Sequence, residues 1–353
     1  MLRTSAAIAA GKLTRAVAKR RGGGSALPGL VAEKVDPKIL GHALGGLPGG
    51  IVVVSGTNGK TTTTRMLVAL LRAHGLSVFT NPTGSNFTRG VISALLGEVG
   101  LRGRPVADVA VLELDEAHAL KFADAVTPTH ALLLNVARDQ LDRFAEIDHT
   151  AKLLAQLAAR TSKGVVMNRD DSFVARSAEG VKTGVTIDYF GVDDSIAHRL
   201  PELMEQDTRV DDEYVVPPAG ADDILLRPVD ERSLEILVGP HGAGGIVGPV
   251  ELKQRGLAAM INATAATAMA RRLLGSRFEL LDCRGTYFQL ARYRAITDLP
   301  DREFAHWLTR EAGVATIPLS AFYHDGRDDR VLRFCFAKQE ATLAAAGERL
   351  RSL

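Results

Sequence analysis

Short apolar runs alternate with amphipathic stretches over the first half of the chain. Five runs have the length and β-branched content of buried strands: Ile51–Ser55, Val78–Thr80, Val109–Leu114, His130–Asn135 and Gly164–Asn168. The stretch that starts at Thr61 and the stretch Thr150–Ala159 carry apolar residues at helical spacing. Strands that alternate with helices predict an α/β fold built on a doubly wound parallel sheet.

The pattern weakens after about residue 190. The segment 195–250 is acidic, contains prolines and is rich in glycine near its end, which predicts an irregular insert of short strands and loops. An alanine-rich helix is predicted over Asn262–Leu274. Beyond it, strands at 285–291, 314–320 and 331–337 and helices at 301–312 and 340–350 predict a small α+β C-terminal unit. The predicted segments are a basic N-terminal helix and linker at 1–45, an α/β domain at 46–278 and the C-terminal unit at 279–353.

Basic residues follow a short apolar core at the N-terminus. The core spans only residues 6–10, and Lys12, Arg15, Lys19 and Arg20 come after it. This pattern is typical of an amphipathic basic helix, packed on the domain or in contact with a membrane surface, with a cleaved leader as the third alternative. No apolar run reaches 18 residues, so no transmembrane helix is expected. We therefore expect a cytoplasmic protein, with peripheral contact to the inner face of the membrane as the alternative.

Composition narrows the class of protein. The chain has 353 residues, which predicts two or three domains, and its 46% hydrophobic and 24% charged residues exclude a disordered or fibrous protein. The net charge of +2 gives no general electrostatic basis for binding nucleic acid. Cys283 and Cys335 are too few for a disulfide framework or a four-thiolate zinc ribbon, so no zinc is expected.

A phosphate-binding loop is the strongest chemical signal. Residues 55–62, Ser-Gly-Thr-Asn-Gly-Lys-Thr-Thr, follow a predicted strand directly and open a predicted helix. Glycines let backbone N–H groups turn inward, the helix N-terminus adds positive potential, Lys60 supplies a charge, and the Thr61 hydroxyl can ligate Mg²⁺. Val54 stands where the strict motif has glycine, so a plain glycine turn is the alternative. The predicted ligand is ATP, bound by Gly56, Thr57, Asn58, Gly59, Lys60, Thr61 and Thr62.

Four stretches together resemble the Mur ligase superfamily, and within it the MurT-like subunits of lipid II isoglutaminyl synthases. The loop GTNGKTTTT resembles the superfamily's ATP loop, and the other stretches are LELDEAH at 112–118, NVARDQLDR at 135–143 and VVMNRDD at 165–171. The resemblance covers about residues 1–275. It implies that the predicted sheet domain, with its phosphate loop, is a Mur ligase central domain.

The resemblance implies an ATP-dependent carbon–nitrogen ligase subunit of peptidoglycan synthesis. Enzymes of this superfamily activate a carboxylate as an acyl phosphate and join it to an amine. For MurT-like subunits, the carboxylate is the α-carboxyl of the D-isoglutamate in lipid II at the membrane surface, and a GatD-like glutamine amidotransferase partner supplies ammonia. Another Mur-type ligase, such as a folate or polyglutamate enzyme, is an alternative that the LDEAH and RDQLDR stretches argue against.

The resemblance also implies metal and substrate roles. Thr61 and Glu113 would hold Mg²⁺, because a hard cation needs an anionic oxygen opposite the loop hydroxyl. A surface carboxylate at a strand end is the alternative for Glu113. The polar loop residues Thr83, Ser85 and Asn86 would bind substrate.

Three further residues are implied near the nucleoside. Asn168 and Asp171 would face it, although Asx turns explain these residue types as well. Asn262 matches a helix of the superfamily near the adenine, and a helix N-cap is its alternative. Gln140 stands where many Mur ligases have a histidine that serves a second metal, so a second metal site has weaker support.

The C-terminal part departs from the superfamily. The superfamily's closing domain and its catalytic Asp have no counterpart, so no catalytic residue is assigned.

From about residue 279 the chain instead resembles the C-terminal small domain of fold-type-I pyridoxal-phosphate aminotransferases, in the stretches CRGTYFQLARYRAI, FAHWLTREAGVATIPLSAFY and VLRFCFAKQEATLAAAGERL. Arg333 matches their carboxylate-binding arginine, with an ordinary strand arginine as the alternative. No lysine has the context of a Schiff-base lysine, so we expect no pyridoxal phosphate and no aminotransferase activity. A catalytically inactive ATP-binding remnant or fusion protein is the alternative to an active ligase.

Overall fold

The computed structural model divides the chain into two compact units, Met1–Leu273 and Leu274–Leu353. It describes residues 2–20, 26–82, 86–100, 105–137, 144–197, 215–274, 279–281, 287–294 and 296–351. Within these ranges, no helix has both the length and the apolar character needed to cross a membrane.

A nine-stranded sheet forms the centre of the first unit. Its strands are β1 (Ile51–Ser55), β2 (Val78–Thr80), β3 (Val109–Glu113), β4 (His130–Leu133), β5 (Gly164–Asn168), β6 (Thr186–Val192), β7 (Ile224–Pro228), β8 (Ser233–Val238) and β9 (Ile246–Glu251). The helices of this unit are α1 (Leu2–Arg20), α2 (Ala26–Val35), α3 (Ile39–Leu44), α4 (Lys60–Ala73), α5 (Thr88–Glu98), α6 (Glu116–Ala125), α7 (Phe144–Arg160), α8 (Ser172–Arg176), α9 (Asp194–Ala197) and α10 (Leu257–Leu274).

The parallel part of the sheet brings the strand ends of the predicted site together. The strand order is β2-β3-β1-β4-β5-β6-β7-β8-β9, and the strands from β2 to β7 in this order are parallel. Val54 pairs with Glu113, and Ser55 pairs with Leu133. Because parallel strands share one carboxyl edge, the loop after β1, the end of β3 and the segment after β4 are neighbours there.

The observed sheet confirms the predicted α/β fold with a doubly wound parallel sheet. Every residue of β1, β3, β4 and β5 is buried, as the continuous apolar runs indicate. One edge of the sheet goes beyond the prediction, because β7, β8 and β9 pair in antiparallel fashion. These three strands lie in the segment that the sequence pattern describes as irregular. The outer strand β9 is largely exposed, so no alternation of buried and exposed positions marks it in the sequence.

The second unit has an antiparallel sheet of its own. Its strands are β10 (Glu279–Leu280), β11 (Phe288–Arg292), β12 (Ile317–Pro318) and β13 (Val331–Cys335), in the order β10-β11-β13-β12, with helices α11 (Asp301–Trp307) and α12 (Glu340–Arg351). Tyr293 and Phe304 lie in its core, with ring centroids 4.5 Å apart. Arg333 on β13 lies over the rings of Phe288 and Phe322, at 4.8 and 4.9 Å. Both distances lie within the range of cation–π contacts.

A buried histidine at the start of β4 makes the stability of the first unit sensitive to acid. Burial, together with the charges of Lys163 and Arg272, lowers the pKa of His130 from 6.5 to about 4. The neutral ring is therefore favoured in the folded state. Its contribution to stability is fully present above pH 6.5 and is lost as the pH falls through 4, by about 3 kcal/mol in total.

We expect His130→Gln to remove this acid sensitivity. The free energy of unfolding, measured in urea at pH 7 and pH 4, should fall less for the variant than for the wild type by about 3 kcal/mol. Asp170, whose pKa burial raises to about 6, titrates in both proteins and cancels in the difference. His74→Gln, at an exposed histidine, is the matched control. Equal pH dependence in wild type and His130→Gln would contradict the prediction.

Candidate functional site

The loop between β1 and α4 has a backbone that glycine alone accommodates. Gly56 and Gly59 have φ values of 134° and 84°. A Cβ atom on Gly59 would lie 2.3 Å from Oδ1 of Asn262. The helix that follows begins at Lys60, and the N–H groups of a first helical turn have no partners within the helix. The loop and the helix end together form an anion-binding cradle of the kind that holds phosphates.

Lys60 lies at the mouth of this cradle. Its Nζ donates hydrogen bonds to the carbonyl oxygens of Gly56 (2.6 Å) and Thr57 (3.1 Å). The same atom lies 3.5 Å from Oδ1 of Asp115 and 3.9 Å from Oε1 of Glu116. The side chain is only 14% exposed, so its charge is held beside the loop rather than in solvent. An incoming phosphate would compete with these two carboxylates for the ammonium group.

Thr61 and Glu113 form a pair of hard oxygen donors. The Thr61 hydroxyl donates to Oε1 of Glu113 at 2.6 Å, and Glu113 is buried. Asn81 fixes the strand end by accepting from the backbone N–H of Glu113 (3.0 Å) and donating to its carbonyl oxygen (2.8 Å). A hydroxyl and a carboxylate beside a phosphate cradle are the donor set that Mg²⁺ prefers. These residues therefore fit a Mg²⁺ ion, which would neutralise phosphate charge when bound.

Asn135, the second residue after β4, holds the loop through hydrogen bonds. Its side-chain oxygen accepts from the N–H of Asn58 (2.8 Å), and its side-chain nitrogen donates to the Asn58 carbonyl oxygen (3.0 Å). Its own carbonyl oxygen accepts from the N–H of Thr57 (2.9 Å), and Oγ1 of Thr57 accepts from the N–H of Ala137 (3.1 Å). These four bonds orient Thr57 and Asn58 and preorganise the cradle.

Asn262 lies inside α10 rather than at its start, which excludes the N-cap alternative. Its Oδ1 accepts a hydrogen bond from the Thr63 hydroxyl at 3.2 Å, next to Gly59. The structure thus brings Asn262 to the loop from a helix about 200 positions further along the chain.

Asn168 and Asp171 make local hydrogen bonds. Oδ1 of Asn168 accepts from the N–H of Asp170 at 3.0 Å. Asp171 caps α8 by accepting from the N–H groups of Phe173 and Val174, and its other oxygen accepts from Val136. Burial raises the pKa of Asp171, and these three hydrogen bonds oppose the rise. The contacts are those of the Asx-turn alternative, and the bond to Val136 ties β5 to the segment after β4.

The remaining predicted residues are distributed as follows. Thr62 lies in the first turn of α4. The backbone carbonyl oxygen of Asn86 accepts from the N–H of Asp115 at 3.2 Å, which places it beside the residues that follow β3. Thr83 and Ser85 lie outside the described residues, as do the positions 138–143 of the NVARDQLDR stretch.

Comparison with known proteins agrees with this geometry. Residues 54–215 match the Mur ligase middle domain. A stretch of 198 residues is 36% identical to the protein "Lipid II isoglutaminyl synthase (glutamine-hydrolyzing) subunit MurT" of Staphylococcus aureus (strain COL), covering 56% of this chain and 43% of that protein. The chain thus spans less than half the length of this relative. A crystal structure of MurF from Acinetobacter baumannii is 18% identical with a TM-score of 0.50, over 81% of this chain and 58% of that one, which supports a shared fold.

A second kind of relative matches a shorter stretch. Over 78 residues, or 22% of this chain, the sequence is 56% identical to the "Methionine aminotransferase" of Escherichia coli (strain K12). The stretch covers 20% of that enzyme. The chain therefore combines similarity to a Mur ligase middle domain with similarity to a small part of an aminotransferase.

Two residues that position the candidate site escaped assignment from the sequence. Asn81 and Asn135 form hydrogen bonds to backbone groups of other segments. Every residue has such groups, so the sequence of the bound segment gives no sign of the contact. Their common signal is position, because each follows the last residue of a buried parallel strand closely. A polar amide at that edge of the sheet is a candidate for positioning a loop.

Proposed function

We propose that the chain binds Mg·ATP and is the ATP-using subunit of an amide ligase of peptidoglycan synthesis. The observation that carries the proposal is the arrangement of Lys60, Thr61 and Glu113 around a glycine-turned loop at the carboxyl edge of the sheet. Lys60 would contact the terminal phosphates, and Thr61 with Glu113 would hold Mg²⁺. The similarity to the Mur ligase middle domain supports this choice over other nucleotide-binding proteins.

The proposed reaction begins with a carboxylate of the substrate. An oxygen of the carboxylate attacks the γ-phosphorus of ATP, the bond to the β-phosphate breaks, and ADP leaves with an acyl phosphate formed. Ammonia then attacks the acyl carbon, and inorganic phosphate leaves with the electrons of the carbon–oxygen bond. Lys60 and the N–H groups of the first turn of α4 would stabilise the negative charge that moves onto the bridging oxygen.

The finer proposal names lipid II as the substrate. The MurT relative is named as a subunit of a glutamine-hydrolysing lipid II isoglutaminyl synthase. By analogy, the substrate of this chain is the α-carboxyl of D-isoglutamate in lipid II, and a GatD-like glutamine amidotransferase supplies the ammonia. The partner and the substrate are expected to meet the chain at the membrane surface.

A second candidate is nucleotide binding without turnover. Mur ligases use a further, C-terminal domain to close over ATP. The C-terminal part of this chain is instead similar to an aminotransferase, which favours binding without turnover. In this case the chain would bind Mg·ATP and would not form the amide, with or without the partner.

Glutamine-dependent amidation tests the two candidates. The full chain, with and without a GatD-like partner, is incubated with Mg·ATP, glutamine and lipid II, and ADP and amidated lipid II are quantified by chromatography and mass spectrometry. The first candidate predicts amide and ADP in equal amounts, only with the partner present, and neither product with Lys60→Ala. ATP binding without amide would contradict the first candidate in favour of the second.

A further inference from the structure

The N-terminal helix α1 is apolar on two opposite faces. Its inner face, which includes Ala7, Ile8 and Gly11, is buried. Its outer face repeats at intervals of three and four residues, and every member is apolar and exposed: Ala6, Ala9, Leu13, Ala16 and Val17. A helix of a globular protein normally has polar residues opposite its buried face. The apolar outer face therefore indicates a surface that a further partner covers.

Three large side chains make up most of this exposed apolar surface. On α1, Leu13 is 69% exposed and Val17 is 44% exposed. On α2, Leu27 is 53% exposed. Single exposed leucines are common on protein surfaces, whereas an apolar patch marks a site of contact with a protein or a membrane. Whether these three form a patch depends on how the two helices run.

The helices α1 and α2 run antiparallel to one another. Nε of Arg3, near the start of α1, donates to the Val35 carbonyl oxygen at the end of α2, at 2.8 Å. Further along α1, a Cβ atom on Gly11 would lie 3.1 Å from Cβ of Ala32. The end of α1 and the start of α2 are therefore neighbours, and the exposed apolar side chains of the two helices gather towards that end of the pair.

Contacts on the opposite side hold α1 against the domain. Nζ of Lys12 donates to the Val99 carbonyl oxygen, directly after α5, at 2.6 Å. Arg15 packs on Gly97 of α5, where a Cβ atom would lie 2.1 Å from Nη1 of the arginine. The two basic residues closest to Leu13 in the sequence are thus turned towards α5. These contacts fix the orientation of α1, so its apolar face is presented outward.

Positive charge is concentrated in this part of the chain. Residues 1–32 contain six Lys and Arg residues and no Asp or Glu, although the net charge of the whole chain is only +2. Three of the six are consecutive, because Lys19 and Arg20 are the last residues of α1 and Arg21 follows them in the sequence. The end of the helix pair that exposes apolar side chains therefore also carries a basic cluster.

The combination of apolar surface and basic cluster distinguishes between two kinds of partner. Leucine and valine side chains beside clustered Lys and Arg are typical of helices that lie in the interface of an anionic bilayer. There the apolar side chains enter the boundary of the acyl chains, while long basic side chains stay at the level of the phosphates. The core of a protein–protein interface is instead depleted of lysine. The charge thus favours a lipid surface.

We propose that the α1–α2 helix pair is a membrane-docking surface, which inserts Leu13, Val17 and Leu27 into the interface of an anionic lipid bilayer. The basic end of α1 contacts the phosphates of the lipid headgroups. The inference goes beyond the proposed function, because neither these residues nor the test below involves a nucleotide. It gives the chain a means of concentrating at the surface where a lipid-linked substrate lies.

Flotation with lipid vesicles tests the inference. The full chain is mixed with vesicles of phosphatidylglycerol and phosphatidylcholine in equal parts, and with vesicles of phosphatidylcholine alone, at about 0.1 M and about 1 M salt. At low salt we expect partitioning into the anionic vesicles to be at least about tenfold stronger than into the neutral ones. Most of this difference should disappear at high salt. Absence of vesicle binding by the folded chain would overturn the inference.

A pair of apolar substitutions identifies the face. Leu13→Gln combined with Leu27→Gln should weaken partitioning by at least about tenfold, because both side chains lose their apolar burial in the bilayer. The matched control combines Val229→Gln and Val247→Gln, at exposed valines directly after β7 and in β9, and should stay within about twofold of the wild type. All four side chains are exposed, so each protein should keep a cooperative unfolding transition in urea. Equal partitioning of the two double variants would contradict the assignment of the face.

A second pair of substitutions tests the basic cluster. Lys19→Gln combined with Arg20→Gln should weaken binding to anionic vesicles by at least about tenfold and leave binding to neutral vesicles unchanged. Lys152→Gln combined with Lys182→Gln, at two exposed lysines outside α1 and α2, is the control for the loss of two charges. If both pairs weaken binding equally, the attraction is not specific to the end of α1, and the inference fails.

A second copy of the chain is the other occupant that the experiment must recognise. Sedimentation velocity without lipid should give the same sedimentation coefficient for the wild type and for Leu13→Gln with Leu27→Gln. A dimer that this double variant dissociates would overturn the inference. Titration with Mg·ATP is the separate readout of the proposed function: loss of nucleotide binding rejects that function alone, and loss of vesicle binding rejects the docking surface alone.

Discussion

Replacing Lys60 with alanine is expected to lower any ATP-dependent turnover by at least about a hundredfold. The Nζ atom lies within 3.1 Å of two loop carbonyl oxygens, so its charge is already positioned where a phosphate would bind. Loss of one preorganised donor to a developing charge costs about 3–4 kcal/mol of transition-state stabilisation. Release of ADP at millimolar Mg·ATP, with lipid II, glutamine and the GatD-like partner present, measures the effect in a coupled assay.

The control for this prediction is Lys152→Ala. Lys152 is an exposed lysine on α7, so its loss removes the same charge and length at a distance from the loop. Its turnover should stay within about twofold of the wild type. A mild effect of Lys60→Ala, similar to that of the control, would mean that the loop is a structural turn.

Gly59→Ala is expected to damage both the fold and the nucleotide site. The new Cβ atom would need a left-handed backbone at φ 84° and would lie 2.3 Å from Oδ1 of Asn262. Strain and the displaced amide together should lower the free energy of unfolding by about 2–4 kcal/mol. Displacement of the cradle by about 1 Å should reduce turnover by about a hundredfold. Urea unfolding and the ADP-release assay measure the two effects.

Two further variants divide the effect of Gly59→Ala into its causes. Gly75 has a similar φ of 83°, but no atom lies within 4 Å of the Cβ position, so Gly75→Ala should show backbone strain alone, about 1–2 kcal/mol. Combining Gly59→Ala with Asn262→Ala removes the close contact and should recover part of the lost stability. If Gly59→Ala is no more harmful than Gly75→Ala, the contact between α10 and the loop has no energetic role.

The parallel core and the phosphate loop were predictable from the sequence. Val52, Val53 and Val54 form a continuous β-branched run, because a strand between two parallel neighbours is buried on both faces. The proximity of Thr61 and Glu113 follows from the same topology, since β1 and β3 end at one edge. Local pattern and strand order together therefore sufficed for the central part of the site.

Contacts between distant segments were not predictable in the same way. The approach of Asn262 to Gly59 depends on how α10 packs against the loop, and no periodicity records the partner of a helix. Asn135 likewise holds Asn58 through backbone groups, which every residue has. The short strands predicted in the insert are present, but their antiparallel pairing was not predicted, and the largely exposed strand β9 lacks the apolar alternation that marks half-buried strands.

Calorimetric titration of the purified wild-type chain with ATP, with and without Mg²⁺, tests the central claim most directly. The account predicts saturable binding of one nucleotide per chain that requires Mg²⁺ and is lost in Lys60→Ala. Absence of binding at millimolar Mg·ATP, by a folded protein with a cooperative unfolding transition, would contradict it.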